Sequence, residues 1–322
     1  MMEVGIYLDG RNPPQWARPW PEHYARTLEL VEEAERLGAA SVWLSEHHFF
    51  EDGYLPQPLT FAAAIAARTQ SIRIGTAVLL AALRTPAQLA EEAAMVDILS
   101  NGRLDLGVGL GYRVPEYEGF ERTFDRRFAQ TEAVLREVLR LWAEGGVTPV
   151  PVQQPMSLWG GFFGPRGARL AGELGAGLLA VDPALMAPYR EGLVAGGHDP
   201  ASARCAAVVN LVVADDPETA WPRIRPHLQY QWDSYNRYAV EGTGAAAPRP
   251  IDPDRWTAPG KDGAPPRFGV FTPEDAAAHI RAITDGLPVA QVYLWASIAG
   301  MPDDLVERHV ALASTELRGL LA

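Results

Sequence analysis

The chain has 322 residues, with 28 Lys+Arg against 40 Asp+Glu and a net charge of −12. At about 150 residues per domain two domains would fit, although single α/β barrels often run longer; the acidic balance argues against nucleic-acid or anionic-membrane partners. One cysteine, Cys205, excludes an internal disulfide, the start Met1-Met2-Glu3 lacks the basic stretch of a signal peptide, and no apolar run reaches bilayer length, so a soluble cytoplasmic protein is expected.

Residues 4–8 read as a buried strand. Residues 22–37 then place Tyr24, Leu28, Val31 and Ala34 on one helical face, and Gly38 can end that helix in a left-handed cap. A strand at 41–44, an apolar helix near 59–68 and a strand at 72–79 follow. Thr85-Pro86-Ala87-Gln88 offers an N-cap, a proline at the first helical position and a glutamine to close a capping box. That helix stops at Asn101-Gly102, before a fourth strand at 103–108 and a fourth helix near 124–144. The second half repeats the rhythm less cleanly, with strands near 157–159, 178–181, 206–213 and 291–295. Helices are expected near 166–174, 183–194, 217–238, 273–283 and 302–320.

About eight strand–helix units, with strands apolar on both faces, predict an all-parallel sheet. An open doubly wound sheet would show the same rhythm. However, the first strand–helix turn, residues 9–21, is rich in Pro and Trp and has no glycine fingerprint. The expectation is therefore one (β/α)8 TIM-type barrel domain over residues 1–322. Residues 241–271 interrupt it: Pro and Gly recur throughout with no periodicity, the composition of a lid, a binding loop or a disordered insertion.

In a barrel the chemistry sits where strands end. Glu46-His47-His48-Phe49 falls there, after the second strand. Adjacent side chains diverge, so the two histidines are poorly placed to chelate one metal, and no metal site is expected. One imidazole could donate a proton or hydrogen bond in the mouth, or both could tie down a loop. Residues 107–112 (Gly-Val-Gly-Leu-Gly-Tyr) fail as a dinucleotide fingerprint, because Tyr112 stands where the third glycine belongs. Residues 160–167 join a strand to a helix with three glycines besides Gly167 and one arginine, Arg166. They are either an anion site suited to a phosphate or a flexible turn. Cys205, inside an apolar strand, reads as core, and Ser45 lacks a nucleophile elbow.

Taken together these segments resemble the bacterial luciferase-like flavin-dependent monooxygenases over nearly the whole chain. The carriers are Trp43-Leu44-Ser45-Glu46-His47-His48-Phe49, Ile74-Gly75-Thr76-Ala77-Val78, residues 85–92 and the block 99–109, with Gln231-Trp232-Asp233-Ser234-Tyr235 before the insertion. The resemblance implies a (β/α)8 barrel, reduced flavin, and O2 activated as a flavin C4a-hydroperoxide. It makes His47 the catalytic histidine and Ala77-Val78 the place for a non-proline cis peptide beneath the flavin. Gly109 and Leu110 stand where luciferase carries a cysteine and a phosphate-binding arginine. Luminescence is thus not expected, and the phosphate role passes to Arg166 with the backbone of Gly164 and Gly167.

The first functional expectation is a monooxygenase using O2 and reduced FMN, the FMN reduced by a separate flavin reductase, and acting on a small, apolar or aromatic substrate. The resemblance implies a lid at residues 241–271; Phe49, and Trp256 of that lid, are the expected substrate contacts. A deazaflavin-dependent hydride-transfer enzyme is the alternative, and a non-catalytic flavin-binding subunit a second one. Self-association as a homodimer stays open.

Overall fold

A computed structural model describes residues 2–260 and 264–322. Eleven strands and twelve helices are found among them. In chain order the first half holds β1 (Glu3–Leu8), α1 (Trp20–Leu37), β2 (Ser41–Leu44), α2 (Pro58–Arg68), β3 (Arg73–Thr76), β4 (Leu79–Leu80), α3 (Pro86–Leu99), β5 (Leu104–Gly109), α4 (Val114–Gly119) and α5 (Arg127–Ala143). The second half holds β6 (Leu158–Gly161), α6 (Pro165–Glu173), β7 (Gly177–Leu178), α7 (Met186–Ala195), β8 (Cys205–Val209), β9 (Leu211–Val213), α8 (Pro217–Val240) and α9 (Pro253–Thr257). It ends with β10 (Gly269–Phe271), α10 (Pro273–Thr284), β11 (Val289–Trp295), α11 (Asp303–Leu312) and α12 (Arg318–Leu321).

The main sheet runs β3-β2-β1-β11-β8-β7-β6-β5-β4, and β3 also pairs with β5, so the sheet closes. Every pairing is parallel. Because β3 and β4 are two halves of one barrel position, this is a closed eight-strand (β/α)8 barrel. Alternate side chains of each strand point inward and outward. Inward, Trp43 stacks on Tyr293 at 4.9 Å between centroids and meets Trp159 edge-on at 5.9 Å. Gly75 makes room for that stack: a Cβ there would fall 2.4 Å from the Trp43 ring. Outward, Ile6, Val42, Ile74, Leu104 and Leu158 pack under the helices.

The structure corrects several expected boundaries. The strand expected at 72–79 breaks at Ala77-Val78, whose peptide bond is cis. The strand expected at 206–213 divides at Asn210. Its second half, β9, leaves the barrel and pairs with β10 in a two-stranded side sheet. Asn210 anchors the split, accepting from Trp295 Nε1 at 3.0 Å and from the Gly269 N–H. β10 thus takes the last three residues of the expected insertion, and α9 lies within it. Residues 261–263 of the insertion lie outside the described residues. Thr85 caps α3 as expected, accepting from Gln88 N–H at 3.3 Å, but the Gln88 side chain turns to Glu92 and leaves the capping box half made. The short helix α4 was not expected at all.

Candidate active site

The strands' C-terminal ends gather on one rim, and His47 lies there, three residues past β2. Its Nδ1 stands 2.7 Å from Glu116 Oε1 on α4. The same oxygen accepts the His48 N–H at 2.9 Å, and Arg113 Nη1 stands 3.5 Å away. Accepting the His48 N–H, that oxygen faces the ring as an acceptor. Nδ1 of His47 therefore carries the proton, and Nε2 is left as an acceptor. Burial lowers the His47 pKa below its usual value, with Glu116 pulling the other way. Around the imidazole stand Phe50 at 5.0 Å, Tyr54 at 4.7 Å, Tyr112 at 4.9 Å and Tyr235 at 6.3 Å between centroids. The ring is only 7% exposed.

His48 points elsewhere, as adjacent residues should. Its Nε2 lies 2.9 Å from Glu46 Oε1, and Glu46 also takes Arg84 Nη1 at 2.8 Å and the Leu80 N–H at 2.7 Å. Burial alone would raise the Glu46 carboxyl, but Arg84 and His48 outweigh it and hold its pKa below the ordinary value. This group fastens β4 to the end of β2.

Between those two groups lies the Ala77-Val78 peptide. Tyr7 OH donates to Ala77 O at 2.6 Å. Val78 rests on two glycines: a Cβ on Gly109 would stand 2.4 Å from Val78 Cγ2, and one on Gly161 would stand 2.2 Å from Cγ1. Gly161 ends β6, so the loop that leads to α6 begins beside this shelf. Gly164 precedes α6 with φ +84°, and a Cβ there would meet nothing within 4 Å. Proline opens the helix, which leaves the amides of Arg166 and Gly167 outside its own ladder. The Arg166 side chain itself is exposed and lies over Phe128 at 3.8 Å. Open backbone amides without an acidic neighbour in the first turn suit one phosphate, and a flat ring has the shelf of Ala77, Val78 and Gly109 to rest on.

Neither Phe49 nor Trp256, the expected substrate contacts, packs against the His47 ring. Phe49 is 61% exposed and turned onto α4 beside Gly119, while its neighbour Phe50 takes the place against His47. A positive φ of 62° at Phe49 swings its side chain outward. Trp256 lies on α9 and packs on Trp232 at 4.7 Å; Trp232 in turn packs on Tyr235 at 5.4 Å. It reaches His47 only through those rings. The insertion is tied to the same rim by Arg113, which donates to Glu241 and to the His48 carbonyl. Ile251 N–H also donates to Asp233 Oδ1 at 2.7 Å.

Sequence reasoning missed Glu116, Arg113, Asp9, Arg11 and Asp52. Arg113 and Glu116 sit three apart just after the glycine-rich strand end, a pairing visible once a helix is placed there. Among the described residues no group of three His, Cys, Asp or Glu side chains could hold a metal ion, and no helix is long and apolar enough to cross a membrane.

The family model for luciferase-like monooxygenases matches residues 2–315. The chain belongs to that family. Among curated relatives, this luciferase-like chain is 28% identical over 300 residues to an F420-dependent glucose-6-phosphate dehydrogenase of Amycolatopsis mediterranei, covering 87% of this chain and 82% of that one. Over 95 residues it is 41% identical to the oxygenase component of a flavin-dependent trigonelline monooxygenase of Acinetobacter baylyi, covering 30% of this chain and 26% of that one. Among solved structures it resembles monooxygenase RslO1 from Streptomyces bottropensis, with a TM-score of 0.78 and 26% identity over 97% of this chain and 98% of that one. The luciferase-like relatives thus use either flavin or the deazaflavin F420.

Proposed function

We propose that the chain is the oxygenase of a two-component system, using reduced FMN and O2 to oxygenate a small organic substrate. FMN, when bound, supplies the two electrons that let one oxygen atom enter the substrate while the other leaves as water. The observation that carries the reading is the enclosure of His47, only 7% exposed and wrapped by Phe50, Tyr54, Tyr112 and Tyr235. Oxygen chemistry needs such screening, because water diverts the reducing equivalents to H2O2. Hydride transfer from an alcohol has no peroxide to protect. The likeness to RslO1 and to the trigonelline oxygenase component supports the same choice, and the latter's description as a component supports a separate reductase.

Within that reading the chain's own groups have distinct tasks. Ala77, Val78 and Gly109 support the ring; the start of α6, with Gly164, Arg166 and Gly167, takes the phosphate. Glu116 fixes the His47 tautomer. His47 then accepts a proton at Nε2 and passes it on, so it is a base before it is a donor.

The second reading, F420-dependent hydride transfer, draws support from the Amycolatopsis relative. There Nε2 of His47 would take the hydroxyl proton of an alcohol as hydride leaves its carbon. Anaerobic calorimetry with reduced FMN and with F420 separates the two. Tighter binding of FMN by tenfold or more, followed by slowed reoxidation of bound FMN on adding O2, is expected. Tighter binding of F420 would replace the first reading with the second.

A further inference from the structure

One guanidinium joins the insertion to the loop that carries His47. Arg113 is buried and lies over the rings of Phe50 at 4.7 Å and Tyr238 at 4.6 Å. Its terminal nitrogens are divided: Nη1 donates to the His48 carbonyl and Nη2 to Glu241, the first residue past α8. Gly242 continues that contact against the first turn of α4, where a Cβ would stand 3.1 Å from Val114 Cβ. His48 is thus held from both sides, its N–H by Glu116 Oε1 at 2.9 Å and its carbonyl by Arg113. Glu116 Oε1 also takes His47 Nδ1 at 2.7 Å and stands 3.5 Å from Arg113 Nη1. Glu116 Oε2 makes no hydrogen bond among the described residues. Three groups therefore crowd one oxygen.

We propose that Arg113 is a positioning residue through which Glu241, at the start of the insertion, keeps the His47–Glu116 hydrogen bond in place. A buried cation that loses its partner is costly. Without Glu241, the acidic side chain left within 4 Å of Arg113 among the described residues is Glu116. A guanidinium drawn onto Oε1 competes with His47 Nδ1 for that oxygen. Held by Glu241, Arg113 leaves the oxygen to the imidazole. Contact of the insertion with Arg113 thereby fixes the tautomer that frees Nε2. Arginine suits the task because its planar fork serves two partners in different directions. A lysine, a single point charge, would have to choose between His48 and Glu241. That Nε2 of His47 is the reacting base rests on the readings above. The link from Glu241 to the imidazole does not.

Proton NMR of the full chain without flavin tests it at pH 7, where burial keeps the His47 ring neutral. The signal read is the Nδ1–H proton of His47, assigned by its loss in His47→Ala. Glu241→Gln removes the charge and keeps the size. It is expected to speed exchange of that proton with solvent at least about threefold and to move its signal upfield. Arg113→Lys should do the same. Glu51→Gln is the control, because Glu51 pairs with Arg237 and not with Arg113; there the exchange should stay as in the natural chain. Unchanged exchange in E241Q or in R113K, an equal change in E51Q, or no such signal in the natural chain overturns the proposal. So does a faster proteolytic cut between residues 242 and 266 in E241Q with His47 unaffected, which would make the Arg113–Glu241 pair a tether alone. If R113K does not fold, E241Q against E51Q decides. No cofactor enters the measurement, so its failure would leave the oxygenase reading standing, and tighter binding of F420 would leave this link standing.

Discussion

At His47 one hydrogen bond decides the chemistry available. Glu116 Oε1 accepts from Nδ1 at 2.7 Å, so Nε2 is free to accept. His47→Ala should leave flavin binding in place while oxygenation falls by about 10²–10⁴-fold and H2O2 rises, read as the ratio of product to peroxide per O2 consumed. His48→Ala should cost far less in that ratio, since His48 serves Glu46 and the β2–β4 junction. A reversed ranking would mean that the other imidazole is the reacting one. Glu116→Gln should lower the rate, by up to about 10⁴-fold, because an amide can hold the wrong tautomer. It should also move the acid limb of the pH–rate profile downward, because the carboxylate that raises the His47 pKa is gone. An unshifted limb would show that Glu116 only packs.

Two elements frame that residue, the Val78 shelf and the insertion. Gly109→Ala would drive a Cβ to 2.4 Å from Val78 Cγ2, with β5 and β6 fixed on either side. Overpacking of this kind costs about 1–3 kcal/mol; the chain should still fold while reduced-FMN affinity drops, measured by anaerobic titration. Unchanged affinity would remove the shelf from the cofactor site. The insertion is held to the rim by Arg113–Glu241, by Ile251–Asp233 and by Trp256 on Trp232. Its action as a lid remains a proposal supported by those ties. Limited proteolysis should cut first between residues 242 and 266, more slowly with flavin and substrate bound. A Gly-Ser bridge in its place should keep the fold while product falls and H2O2 rises. Unchanged coupling of O2 to product would make it a surface insertion.

For the whole molecule, one histidine links the side sheet to the barrel. His309 Nδ1 accepts the Val213 N–H at 2.8 Å, and Nε2 faces the Trp295 carbonyl at 2.9 Å, so the ring is buried neutral between β9 and β11. Burial pushes its pKa down to about 4. The unfolded chain takes up a proton near pH 6.5, and the folded chain does not until about pH 4. Stability should therefore fall as pH drops through that window, by on the order of 3 kcal/mol from this group, and level off below it. Urea unfolding from pH 7 to 4 measures the slope. His309→Asn, which keeps an acceptor for Val213 without the titration, should flatten it; an equal slope would assign the acid sensitivity to other groups.

The repeating units were legible in the sequence because each barrel strand is apolar on both faces and each helix on one, a local pattern that burial in a parallel barrel requires. His47, Ala77-Val78 and the α6 start were legible too, as short contiguous motifs at strand ends. Glu116 and Arg113 lie some seventy residues from His47, and Glu241 lies farther still; only closure of the barrel brings them to one rim. Residues 231–235 show no role as a sequence. The fold assigns its parts: Gln231 accepts the Ala299 N–H, Asp233 the Ile251 N–H, Ser234 holds Arg11 and Tyr235 meets Tyr54. Phe49 and Phe50 were indistinguishable as letters, and the backbone turn at Phe49 decided which ring faces the imidazole. Periodicity records which face is buried. Which polar side chains meet there depends on contacts distant in the chain, and those exist only once the strands have paired.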